Sequence, residues 1–133
     1  MTGNGAGRVV LIVEDNDKNL KLARDVLQFH GFRIVEATSG EDGVTLAKEY
    51  LPALVLMDIA LPGIDGVEAA RQIKAEPSTA RIPIVALTAS VMQADRERFD
   101  EAGFAGLIAK PIDVVKFPEQ VLAYCEPGAM EGS

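Results

Sequence analysis

The chain has 133 residues, 48% of them apolar and 25% charged, and a net charge of −7. That composition suits one globular domain with a real core; the acidic balance argues against a general nucleic-acid surface and hence against direct DNA binding. No apolar run approaches the roughly 20 residues of a membrane span, the opening MTGNGAGR lacks a signal peptide's apolar stretch, and the lone Cys125 forms no internal disulfide, so a cytoplasmic location and a spectator thiol are expected.

Val9–Val13 (VVLIV) reads as the first strand. A helical stripe of Leu20, Ala23, Val26 and Leu27 follows over about residues 18–30, stopped by Gly31, with His30 suited to the helix end. Arg33–Ala37 is the second strand, and Ser39 opens a helix that ends before Pro52. Residues 54–57 form the third strand. Asp65-Gly-Val-Glu68 is a capping box for the next helix, which ends before Pro77. Residues 84–87 form the fourth strand. A helix over about 91–102 follows, a solvated face (DRERFDE) with Phe99 and Ala102 as its clearest apolar contacts. Gly106–Ala109 is the fifth strand. Pro118 removes a backbone donor, which predicts a distorted start near Asp113 and regular helix only over about 118–124. GNGAG at residues 3–7 precedes a strand rather than following one, so it is no dinucleotide loop. Residues 1–7 and 126–133 read as a flexible leader and tail around a domain over 8–125.

Strand and helix alternate five times, which implies a parallel sheet covered by helices on both faces. The expected architecture is flavodoxin-like α/β, (βα)5, with strand order 2-1-3-4-5. In that order strands 1 and 3 are neighbours, and ligands bind beyond the C-terminal strand ends.

Glu14 and Asp15 follow the first strand, Asp58 the third, Thr88 the fourth, and Lys110 with Pro111 the fifth. Each has a plainer reading alone: Asp58 as a turn residue, Glu14 and Asp15 as caps of the first helix, Thr88 as a β-branched strand end, Lys110 as a solvated charge. Their joint placement on one rim outweighs those readings. Like-charged carboxylates 4 Å apart repel by roughly 1–4 kcal/mol, depending on the effective dielectric. Lys110 offsets one charge, and a hard divalent cation would offset the rest; with oxygen ligands alone, Mg²⁺ fits best. A cation, a Lys and a Thr hydroxyl together can neutralise the oxygens of a phosphoryl group in transfer, with Asp58 as the nucleophile.

The motifs LIVEDN, LVLMDIALPGIDG, PIVALTA and AKPID resemble the receiver domain of bacterial two-component response regulators over about residues 8–125. The look is that of single-domain DivK-type regulators or of receivers attached to hybrid histidine kinases. The resemblance implies that Asp58 accepts a phosphoryl group from a phosphohistidine on a histidine kinase or phosphotransfer protein. It implies that Glu14, Asp15, Asp58 and the Ala60 carbonyl hold Mg²⁺, that Thr88, Lys110 and the Ala89 N–H contact the phosphoryl group, and that Lys110–Pro111 is cis. It also implies a phosphoprotein that catalyses only its own phosphorylation and dephosphorylation, with helix 4, strand 5 and helix 5 as the surface that changes for a downstream protein partner. If the chain is complete, no output domain follows helix 5 and output by protein contact is expected. The alternatives are a phosphorelay intermediate, an excised hybrid-kinase receiver, and a small Mg²⁺-dependent phosphatase; the last is disfavoured because Ala60 is no acid. Two positions depart from the family pattern, and one of them is Pro118, which falls where helix 5 should already be running. Leu107 stands where a Tyr or Phe usually serves with Thr88 as the switch, and it is expected to sit buried.

Overall fold

The computed structural model describes residues 5–61, 63–89 and 93–125. Strands β1 (Val9–Val13), β2 (Arg33–Ala37), β3 (Leu54–Asp58), β4 (Ile84–Thr88) and β5 (Gly106–Ala109) alternate with helices α1 (Asp17–Phe29), α2 (Gly40–Tyr50), α3 (Gly66–Ala75), α4 (Gln93–Ala102) and α5 (Phe117–Cys125). All pairings are parallel and the order is β2-β1-β3-β4-β5, as the alternation of elements predicts.

The sheet divides the core by the two-residue period of its strands. Leu11, Val13, Val55, Met57, Ile84 and Ala86 face α2, α3 and α4. Their neighbours Val10, Ile12, Leu54, Leu56, Val85 and Leu87 face α1 and α5. The central strands β3 and β4 are buried at every residue, while the edge strands β2 and β5 are only partly covered.

Helix starts follow the side chains that satisfy their free N–H groups. Asn16, Ser39 and Asp65 cap α1, α2 and α3, accepting from the N–H groups of Asn19, Asp42 and Glu68. At α5, Asp113 Oδ1 accepts from Val115 and Lys116 N–H at 2.9 and 3.2 Å, and regular helix begins at Phe117. Pro118 therefore lies in the first turn, where its missing donor is not needed.

Two expectations need correction. Strands β3 and β4 each run one residue further than predicted, because Asp58 pairs with Leu87 and Thr88 with Ala109 in the ladders. Helix α1 begins at Asp17, one residue early, since Asn16 is its cap, and it closes on His30 as the C-cap residue. Ahead of the expected domain start, Gly5 and Gly7 donate to the His30 and Gly31 carbonyls at 2.8 and 2.9 Å. Residues 1–4, 126–133 and the expected start of α4 at 91–92 lie outside the described residues.

Candidate functional site

Parallel strands point their C-terminal ends the same way, so four of them deliver polar residues to one cleft of about 520 Å³. The first helix shows how the site is freed for chemistry. Asn16 performs the capping, so Glu14 and Asp15 are not consumed by it; Glu14 Oε2 instead accepts from the Asn16 N–H at 3.2 Å. Glu14 is buried behind this turn, and Asp15 is exposed at the mouth of the cleft.

Asp58 ends β3 and is buried. Its Oδ1 accepts from the Ala60 N–H at 3.1 Å, the turn role that an Asp would have alone, and also lies 3.2 Å from Lys110 Nζ. Lys110 Nζ sits 2.8 Å from Glu14 Oε1 as well. The ammonium thus bridges two strands whose carboxylates would otherwise repel. A tight approach at the start of α3 fixes the loop between: a Cβ on Gly66 would strike the Asp58 carbonyl, so only glycine lets the helix sit this close.

Ligand oxygens of Glu14, Asp15 and Asp58 all lie within 4.8 Å of one another. Burial, and then contact with Asp58, pushes the Glu14 carboxyl above its usual range. Burial would lower the Lys110 ammonium, but Glu14 and Asp58 together outweigh it and hold it above its ordinary value. Three carboxylates face one ammonium, a formal excess of two negative charges in a partly buried place. An all-oxygen donor set with that excess fits a hard divalent cation.

Thr88, at the end of β4, is buried on the cleft wall, with Ala60 and Ala89 exposed beside it. The Lys110–Pro111 bond is cis, and the Lys110 N–H donates to the Thr88 carbonyl at 2.8 Å. All the residues expected at the strand ends are thus brought together. Leu107 is not: it lies on the α4 side of β5, and it is half-buried rather than buried because β5 is the sheet's edge. Sequence reasoning missed Asn16, which a capping residue just before a helical pattern could have signalled, and Phe99, whose place on the cleft wall had no local signal.

A flavodoxin-like parallel sheet with an acid–lysine–threonine rim is the class of domain that the fold and the site define, and comparison with known proteins places the chain in a family. Residues 10–122 match the response regulator receiver domain family, and the chain belongs to that family. It is 40% identical over 115 residues to the polar-differentiation response regulator DivK of Brucella ovis, covering 86% of this chain and 94% of that one. A putative response regulator from Chloroflexus aurantiacus superposes with a TM-score of 0.84 at 29% identity, over 90% of this chain and 98% of that one. The receiver domain of a sensor histidine kinase from Pseudomonas aeruginosa, solved with a magnesium ion coordinated in its active-site cleft, gives 0.81 at 36% identity, over 89% and 96%. Among the described residues no helix is long and apolar enough to cross a membrane.

Proposed function

We propose that this chain is a response-regulator receiver whose Asp58 accepts a phosphoryl group from a phosphohistidine of a kinase or phosphotransfer protein. The observation that carries this reading is the bridge of Lys110 to both Glu14 and Asp58, which aims a cation at the acceptor carboxylate. A carboxylate oxygen of Asp58 forms the new bond to phosphorus as the P–N bond breaks, and the electron pair of that bond returns to the imidazole. Lys110, the Thr88 hydroxyl and the Ala89 N–H stabilise charge on the three oxygens of the group in transfer. Glu14, Asp15, Asp58 and the Ala60 carbonyl would hold Mg²⁺, which supplies further charge neutralisation there when bound.

A donor must dock beside this cleft. Leu22 on α1, 40% exposed, lines a small hollow together with Glu14 and Lys110, and Val114 and Val115 before α5 are 49 and 79% exposed. Such exposed apolar surface supports a protein donor over a small ester, and we propose output to a protein partner through the face of α4, β5 and α5. The experiment is phosphotransfer profiling against the histidine kinases and phosphotransfer proteins of the source genome. Rapid transfer to the wild type from one donor, none to Asp58→Asn, is the result expected. Steady hydrolysis of small phosphate esters without transfer from any phosphohistidine would overturn the proposal.

A further inference from the structure

Beside the edge strand lies a second cavity of about 340 Å³, lined by Phe99, Asp100, Phe104, Gly106, Leu107 and Tyr124. Two contacts make it more than a surface dent. Phe99 also lines the cleft that holds Asp58, Thr88 and Lys110, so one buried ring forms the wall between the two spaces. The other contact is at Gly106, where an added Cβ would strike the Tyr124 hydroxyl and ring. The hydroxyl end of the tyrosine ring therefore rests on bare backbone at the open edge of the sheet. Its body packs with the α1–α5 half of the core, while its ring reaches round β5 to the α4 half.

We infer that Tyr124 is the moving part that couples occupancy of the Asp58 cleft to α5, with Phe99 as the wall through which the change passes. The inference rests on the phosphoacceptor reading of the cleft. A phosphoryl group draws Thr88 and Ala89 toward its oxygens, and α4, next in the chain, follows. Phe99 shifts toward the cleft and enlarges the cavity behind it. That uncovers apolar surface of Phe99 and Phe104 to water, so the Tyr124 ring leaves Gly106 and turns in beside Leu107 and Phe104 to cover it. Leucine at 107 makes this possible, because it leaves open the space that a larger side chain on β5 would fill. Asp100 at the cavity wall offers an acceptor for the tyrosine hydroxyl as the ring turns in.

The chain has two tyrosines and no tryptophan, so Tyr50→Phe leaves Tyr124 as the sole fluorophore for ultraviolet emission above 300 nm. Acrylamide quenching of that protein is compared free and with Mg²⁺ and beryllofluoride, with the bound fluoride followed separately by fluorine NMR. The expected result is about a twofold fall in quenching on loading. Bound beryllofluoride with unchanged quenching overturns the inference. Absence of any bound fluoride overturns the phosphoacceptor reading and the inference with it, and the fluorine signal tells the two failures apart. Gly106→Ala puts a Cβ under the ring and turns it inward without a ligand. By reciprocity it should bind beryllofluoride about fivefold more tightly, and unchanged affinity in a folded Gly106→Ala protein counts against the coupling. Tyr124→Leu gives a second reading that does not depend on that variant folding: loading should still shift the β5 amides but no longer those of α5. Persistent α5 shifts would overturn the assignment.

Discussion

At the C-terminal ends of β1 and β3, Glu14 and Asp58 are buried and held by backbone N–H groups and by one shared ammonium. At the edge strand β5, Leu107 is half-buried beside a cavity, and α4 is fastened by Phe99 and Ala102. The first region costs folding free energy, since like charges are packed together; the second lacks packing that would stabilise it. The chemistry stands where backbone and core leave the side chains no freedom. A rearrangement would cost least in the second region, where little packing would be lost. Phe99 touches both.

The largest test of this contrast is Lys110→Ala. Removing the cation strands two buried carboxylates, and a loss of about 3–5 kcal/mol in metal-free stability is expected from chemical denaturation. A neutral outcome would mean that the rim is far wetter than its burial indicates. Next comes a matched pair of truncations. Leu56→Ala in the fully buried strand should cost about 2–5 kcal/mol, while Leu107→Ala at the edge should cost about 1 kcal/mol. Equal costs would erase the distinction between the two regions.

The difference between these regions was only half legible in the sequence. Apolar runs and caps such as Ser39 and Asp65 fix elements locally, and alternation fixes a parallel sheet, so the rim follows once strands 1 and 3 are adjacent. Even there the strand ends were short by a residue, because pairing of Asp58 with Leu87 is a property of two strands. Leu107 was misjudged for a like reason. Its exposure depends on β5 being an edge and on a tyrosine 17 residues later lying across Gly106. Phe99 reads simply as core, which it is; that it walls two spaces emerges only from the packing of α4.

A smaller effect depends on pH. Burial, and then Asp58, raises the Glu14 carboxyl in the folded chain, so its contribution to metal-free stability is fully present below the unfolded value of 4.5. It is lost as pH rises through the raised folded value. Glu14→Gln should therefore gain on the wild type as pH rises from acid toward neutral in urea melts without metal. A constant difference would place Glu14 in ordinary solvent. The smallest effect is at the exposed Asp15. Asp15→Asn should stabilise the metal-free protein by less than about 1 kcal/mol and lose most of the stabilisation that Mg²⁺ gives the wild type. A full Mg²⁺ response in that variant would remove Asp15 from the ligand set.

The central claim is that Asp58 is the acceptor in this cleft. Intact-mass spectrometry after incubation with a small phosphodonor and Mg²⁺, in wild type and Asp58→Asn, tests it most directly. A single phosphoryl adduct on the wild type, mapped to Asp58 and absent from the variant, is the expected result; an equal adduct on both proteins would contradict it.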